Sequence, residues 1–182
     1  MRSHPALLFH TCWLLASPLS LPAQAATCPD SIAGAVRFLQ GSWEGRSYSI
    51  AGADTTFDGV IAIESKPALG GCVLEERWSA TNAGKALFEA KVLRAYDAPT
   101  RRWLVHYVDD QLNAQFYEGR LEDGIWRFRR TRMDSGKPII VRLSWRPRVG
   151  GHDQLIERSR DAGKSWVTAG YVAFRPSVKV GG

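Results

Sequence analysis

The sequence predicts an all-β domain: an antiparallel, up-and-down barrel of about ten strands, preceded by one short helix. Apolar and polar residues alternate at a period of two over most of the chain after residue 41. Turn residues interrupt this alternation at regular intervals, and the links are too short for parallel crossovers, which need a dozen or more residues. Many short-linked strands of this kind are typical of a barrel closed on itself.

The first 25 residues have the pattern of a secretory signal peptide. Arg2 gives a positive start, residues 7–16 are mostly apolar, and Ala23-Gln24-Ala25 has the small–x–small spacing that a signal peptidase accepts. A membrane-spanning helix would need about 20 consecutive apolar residues, and His10 and Pro18 interrupt this stretch. We therefore expect a signal peptide at 1–25, a single barrel domain at 26–182 without a membrane segment, and a periplasmic or secreted location.

The cysteines agree with export. Cys12 leaves with the signal peptide, so the mature chain keeps only Cys28 and Cys72. An even pair in an oxidising compartment predicts a disulfide, and a loop of this length contributes about 4 kcal/mol in the chain-entropy model. The bridge would pin the opening helix over one end of the barrel as a plug. Two thiols are too few for a structural zinc site, which takes four ligands, and we expect no metal.

The opening helix is short and amphipathic. Asp30 is predicted as its N-cap, and Gly41 is predicted to end it. The residues predicted to form its buried face are Ile32, Ala35, Val36 and Leu39.

Ten strands are predicted after the helix. Their expected positions are 42–50, 57–65, 71–80, 86–96, 102–109, 113–121, 124–132, 138–146, 153–160 and 165–174. Asp123-Gly124 is the strongest hairpin signal, because both residues tolerate positive φ.

Tryptophans are spread evenly over the predicted strands. Those of the mature chain are Trp43, Trp78, Trp103, Trp126, Trp145 and Trp166. One face of every barrel strand lines the interior. These side chains therefore either fill the interior or wall a cavity, and the pattern leaves both arrangements open.

Acidic side chains near these aromatic residues form the candidate ligand site. Glu76 shares a strand face with Trp78, and Tyr107 and Asp109 share one with Trp103. We predict a cavity walled by Trp43, Trp78, Trp103 and Tyr107, with Glu76 and Glu157 as polar anchors. In the alternative arrangement, these acids are satisfied by Arg94, Arg130 or Arg142.

The sequence does not favour catalysis. After the signal peptide only His106 and His152 remain as histidines, and no glycine-flanked serine marks a nucleophile. We assign no catalytic residue. An enzyme that uses Glu76 with Glu157 or Asp109 as acid and base stays a third alternative.

Basic residues exceed acidic ones. The net charge is +6, and removal of Arg2 with the signal peptide leaves +5. The arginines of the seventh and eighth strands, with the turn at Arg146–Arg148, could hold an anionic envelope polymer; the other interpretation is a solvated sheet face. Nucleic acid is not an expected partner of an exported protein.

The segment Ser159–Trp166, SRDAGKSW, matches the Asp-box hairpin S-x-D-x-G-x-[ST]-W of sialidases and other propellers. Propellers carry several copies, whereas this sequence has one. We interpret it as a hairpin staple in which Asp161 accepts turn amides and Trp166 packs across the hairpin.

Several sequence features recur together in one family. They are Phe38, Gly41, Trp43, LGGCVLEERW at Leu69–Trp78, Tyr96-Asp97, Trp103 with Tyr107 and Asp109, and SRDAGKSW followed by Gly170-Tyr171. The set resembles an uncharacterised family of exported bacterial proteins, a domain of unknown function similar to the calycin (lipocalin-like) barrels. The resemblance implies a barrel of about ten strands with a cavity, and no established activity.

Two departures from that family bear on its pocket. Tyr107 stands where the family usually has Trp, and Val105 stands where it often has a polar residue, so a shared pocket would be less polar here. A further similarity, to haem-binding nitrobindin-type barrels, would require a histidine ligand on a late strand. The last strand, KSWVTAGYVAF, has none, and no haem or other cofactor is expected. The leading hypothesis is an exported barrel that binds a small, partly apolar molecule without catalysis.

Overall fold

A computed structural model describes residues 28–177. The predicted signal peptide lies outside the described residues. The structure begins with helix α1 (Asp30–Ala35) and a 3-10 helix (Arg37–Leu39). The strands that follow are β1 (Gly41–Ala51), β2 (Asp54–Ala68), β3 (Val73–Asn82), β4 (Lys85–Asp97), β5 (Arg102–Asp109), β6 (Ala114–Glu122), β7 (Ile125–Asp134), β8 (Lys137–Arg148), β9 (Gly151–Ser159) and β10 (Val167–Pro176).

These strands form one closed barrel. Each strand pairs antiparallel with the next, and β10 pairs with β1 to close the circle. In the β6–β7 hairpin, Asp123 and Gly124 have φ values of 54° and 73°, as a two-residue turn requires. The predicted fold class, an up-and-down antiparallel barrel with a short helix before it, is confirmed.

The prediction for the opening helix is correct in place and wrong in detail. Pro29, not Asp30, occupies the N-cap, and no side chain caps the helix. The Pro29 carbonyl accepts hydrogen bonds from the amides of Ile32 and Ala33 at 2.9 and 3.0 Å, so the first turn forms without a side-chain cap. At Val36 the backbone leaves the helical conformation, and Leu39 lies in the separate 3-10 helix.

This helical segment closes one end of the barrel. The Trp126 indole nitrogen donates to the Ala35 carbonyl at 2.9 Å, and that of Trp43 donates to the Leu39 carbonyl at 3.0 Å. A disulfide joins Cys28 to Cys72, which confirms the predicted pair. We call this end, where β1 begins, the plugged end, and the opposite end, where β1 finishes, the mouth. No helix within residues 28–177 is long and apolar enough to cross a bilayer.

Candidate functional site

The interior near the plugged end is packed with aromatic side chains. Trp103 meets Trp126 edge to face at 5.3 Å between ring centroids, and Trp145 stacks on Phe174 at 5.6 Å. All four are at most 2% exposed. A Cβ at Gly45 would lie 2.5 Å from the Phe174 ring, so glycine leaves the room that this ring occupies. Of the two arrangements open to the tryptophans, filling holds in this half of the barrel.

Glu76 lies inside this packed region and is fully bonded. Arg94 donates to both of its carboxylate oxygens, at 2.7 and 3.1 Å, and the Trp78 indole nitrogen donates at 2.8 Å. Both charged side chains are only 2% exposed. The Arg94 guanidinium also lies 4.6 Å from the centre of the Trp145 ring. Glu76 therefore forms part of a satisfied ion pair, the alternative arrangement for this acid.

Glu157, unlike Glu76, points away from the barrel interior. Alternate residues of a strand point to opposite sides, and β9 buries His152 and Gln154 inside the barrel. Glu157 therefore lies on the outer wall opposite Arg142, which donates to its two oxygens at 2.7 Å each. Glu76 and Glu157 do not converge on one cavity, and each is bonded to its own arginine. The acid–base pairing of these two residues loses its basis for the same reason.

His152 is buried among aromatic rings beside the plug. Its ring lies 4.5 Å from Trp43, edge to face, and 4.8 Å from Phe174. Both ring nitrogens are buried without a hydrogen-bond partner. Burial, reinforced by the positive charges of Arg94 and Arg148, lowers the pKa of His152 to about 3. Trp43 thus packs with the plug and this neutral histidine in the filled half.

Tyr107 and Asp109 follow Trp103 along β5 toward the mouth. The Tyr107 hydroxyl donates to an Asp109 carboxylate oxygen at 3.1 Å, and its ring meets Trp78 edge to face at 6.3 Å. Burial and this hydrogen bond raise the pKa of Tyr107 above its usual range. Of the predicted site residues, Trp78 and Tyr107 therefore come together in the half that leads to the mouth.

A residue that the sequence reasoning did not place in the site completes this region. Arg130 shares the inward parity of Phe128 on β7, and its guanidinium carbon lies 5.1 Å from the centre of the Tyr117 ring. The Tyr117 hydroxyl donates to Gln115 Oε1 at 2.7 Å. The Nε of Arg130 is buried without a partner, and this side chain forms no salt bridge within residues 28–177. The sequence signal for Arg130 is a basic residue that follows Trp126 and Phe128 at the same inward parity of β7.

The predicted basic face is neutralised by acids only in part. Arg127 pairs with Glu122, and Arg148 pairs with Asp153. Arg142 pairs with Glu157, as described above, and Arg130 points inward. Arg129, Arg132 and Arg146 of the same two strands form no salt bridge within residues 28–177, and the interaction with an anionic polymer stays a prediction.

Several clefts lie on the outer wall of the barrel. One, of about 760 Å³, covers β1–β5 and carries charges of both signs, such as Glu64, Lys66, Glu75 and Arg77. Another, of about 330 Å³, covers β7–β10 and is called the outer cleft below. It is lined by Ile125, Arg127, Arg142, Ser144, Arg146, Asp153, Gln154, Leu155, Glu157 and Tyr171.

The Asp-box segment forms the link between β9 and β10. Asp161 accepts the Ser165 amide at 2.9 Å and the hydroxyls of Ser159 and Ser165 at 2.7 and 2.6 Å. The Ser165 hydrogen bonds, more than any other contact, lower the pKa of Asp161 to about 2. Trp166 lies outside the barrel, where its indole nitrogen donates to the Gly163 carbonyl at 3.1 Å. The segment therefore has the bonding expected of a hairpin staple.

Metal-binding groups of at least three His, Cys, Asp or Glu side chains do not occur within residues 28–177. No protein-family model matches the chain, and no curated protein matches it in sequence. Among solved structures, it is similar to the crystal structure of Rv2717c from M. tuberculosis. That similarity has a TM-score of 0.58 and 11% sequence identity, and it covers 84% of this chain and 100% of Rv2717c. At this identity the likeness concerns the fold, and it supports the closed barrel described above.

Proposed function

We propose that the protein is an exported, calycin-like barrel that binds a small, partly apolar molecule at its mouth without catalysing a reaction. The observation that carries the proposal is Arg130, an inward-facing cation whose Nε is buried without a partner. Buried polar groups are nearly always hydrogen-bonded, and an unpaired charge in a barrel interior is costly. A ligand that brings an anionic or acceptor group to Arg130 would remove that cost.

Inward-facing side chains of the mouth half suit the apolar part of such a ligand. Trp78 and Tyr107 supply aromatic surface. Val141, opposite Arg130 on β8, and Ala90, opposite Asp109, are buried and apolar. Ligand sites of this kind combine a mostly apolar lining with a few placed polar groups. The anchors that the sequence suggested are not available for this role, since Glu76 and Glu157 are each bonded to an arginine.

Binding is tested with an anionic, apolar fluorescent probe, 8-anilinonaphthalene-1-sulfonate. Arg130→Gln removes the charge and should weaken probe binding at least about tenfold, because a hydrogen bond to a charged group contributes about 1.5–3 kcal/mol. Arg129→Gln removes the same charge from the neighbouring outward position and should leave the affinity unchanged. Equal affinities of the two variants would refute the proposal. Native mass spectrometry of protein purified from its natural source then identifies any retained molecule.

The second part of the proposal is that the protein is exported. The disulfide between Cys28 and Cys72 supports an oxidising compartment, where such bonds persist. Expression of the full chain in a bacterial host should yield a periplasmic or secreted product that begins near Ala26. The intact mass of the product measures this directly, and a product that keeps Met1–Ala25 would contradict it.

A further inference from the structure

We infer that the outer cleft is a second binding site, one that takes a single small oxyanion — a carboxylate, sulfate or phosphate group — between Arg142 and Arg146. The cleft lies outside the barrel wall, so the inference is separate from the proposed ligand at the mouth. It rests on the rigidity of Arg142, on the unpaired charge of Arg146 and on the size of the cleft.

Arg142 is held in one orientation before any ligand arrives. Its Nε and Nη2 donate to the Glu157 carboxylate at 2.7 Å each. One face of the guanidinium is covered by Trp166, whose ring centre lies 3.9 Å from Cζ. The side chain is only 16% exposed, and Nη1 makes no hydrogen bond to the part of the chain that the structure describes. A fixed donor of this kind binds at a reduced entropic cost.

The Asp-box hairpin explains why Trp166 stays beneath Arg142. The indole nitrogen donates to the Gly163 carbonyl, and Asp161 bonds both the amide and the hydroxyl of Ser165. The hairpin staple thus positions the ring on which the guanidinium stacks. The Asp-box motif, which is not part of the proposed site at the mouth, therefore supports this second site.

The outer cleft contains one more positive than negative side chain. Three guanidinium groups line it, from Arg127, Arg142 and Arg146, against the two carboxylates of Asp153 and Glu157. Each of these groups except Arg146 has an oppositely charged partner, since Arg127 pairs with Glu122 and Asp153 with Arg148. Arg146 is exposed and forms no salt bridge among residues 28–177.

Guanidinium groups are the side chains best matched to oxyanions, because their N–H groups form a planar fork that two oxygens can bridge. An anion in the outer cleft would therefore neutralise Arg146 and use the free Nη1 of Arg142. The volume of about 330 Å³ lies at the lower limit of small-molecule sites. This size fits one anionic group with a small substituent.

The experiment follows the side-chain Nε–Hε NMR signals of the arginines during titration with sodium sulfate, phosphate and acetate. Sodium chloride keeps the ionic strength constant. We expect saturable shifts of the Arg142 and Arg146 signals with at least one of the three anions. Arg146→Gln should weaken that binding at least about tenfold, which corresponds to one charge-assisted hydrogen bond. Trp166→Leu should also weaken it, because Arg142 loses the ring that orients it.

The matched control is Arg77→Gln. Arg77 is likewise exposed and free of salt bridges within residues 28–177, and it lies on β3 in the separate cleft of about 760 Å³. Its loss should leave anion binding unchanged. Shifts that do not saturate with any of the anions, or that weaken equally in Arg77→Gln and Arg146→Gln, would overturn the inference.

Two further measurements define the source of the anion and separate the two sites. Dextran sulfate that binds more tightly than free sulfate, per sulfate group, would indicate a group carried on a polymer, through multivalency. Equal affinities would indicate a free ion or small molecule. Both results support the site. Arg130→Gln should leave anion binding at the outer cleft intact, whereas a parallel loss there would count against a separate site.

Discussion

The two halves of the barrel interior treat buried charge in opposite ways. Near the plugged end, Glu76 and Arg94 form a complete ion pair with the Trp78 indole as a third partner. Toward the mouth, Arg130 keeps a buried nitrogen without a partner. Both cations face inward and lie over aromatic rings. Only the first is satisfied by the protein itself.

This difference separates structure from function within a single core. Removing one partner of a satisfied buried pair leaves an uncompensated charge, which is strongly destabilising. An unsatisfied charged group costs stability, and under the proposed function a ligand at the mouth would supply the partner that Arg130 lacks. The comparison therefore makes opposite predictions for substitutions at the two ends.

The largest effect is expected at the plugged end. Glu76→Gln removes the charge that compensates Arg94, and it should lower the free energy of unfolding by about 3–5 kcal/mol. Glu157→Gln breaks the comparable pair on the outer wall, where the side chains are 12–16% exposed, and it should cost about 1 kcal/mol. Urea denaturation of the two variants measures both values. Equal losses would show that the buried pair contributes no more to the free energy of unfolding than the pair on the outer wall.

His152 gives the plugged end a pH dependence. Its pKa is about 3 in the folded protein against 6.5 in the unfolded chain, so the unfolded state binds the proton more readily. The free energy of unfolding is therefore highest above pH 6.5 and falls as the pH drops toward 3, by an amount on the order of 5 kcal/mol. His152→Phe should remove this part of the acid sensitivity. Urea denaturation of both proteins at several pH values compares their slopes, and identical slopes would contradict the assignment.

The fold could be predicted from the sequence because the signals for it are local. Period-two alternation and turn residues such as Asp123-Gly124 determine strands and their antiparallel order. The pairing of Cys28 with Cys72 follows from their number and the predicted compartment. The helix start was one residue off because the Pro29 carbonyl, rather than the Asp30 side chain, receives the first helical amides.

The candidate site could be predicted only in part because it depends on which face of each strand points inward. Glu76, Trp78 and Tyr107 face inward, whereas Glu157 lies outside because β9 buries His152 and Gln154. A shift of one residue in parity moves every side chain of a strand to the other face. The sequence offers Arg94, Arg130 and Arg142 equally as partners of Glu76 and Glu157. The register of the strands determines which arginine lies beside which acid.

Loss of the disulfide should act on the plug and spare the mouth. The double substitution of Cys28 and Cys72 by Ser should lower the free energy of unfolding by about 2–4 kcal/mol. Hydrogen exchange should quicken at the amides of Ile32 and Ala33, which bond to Pro29. Amides of β6 and β7 near Tyr117 and Arg130 should exchange at rates scaled only by the global change. Local acceleration at the mouth would contradict the division into two halves.

The smallest change in stability is expected at the residue with the largest proposed role. Arg130→Met replaces an unpaired, half-buried charge with an apolar side chain of similar length. Since no ion-pair partner is lost and only the contact with the Tyr117 ring disappears, the free energy of unfolding should stay within about 1 kcal/mol of wild type or rise. Urea denaturation measures this, with Arg94→Met as the matched control, which strands Glu76 and should cost about 3–5 kcal/mol. Similar losses for both arginines would mean that Arg130 supports the fold as Arg94 does. A stable Arg130→Met protein that no longer binds the anionic probe would instead separate binding from folding at one position.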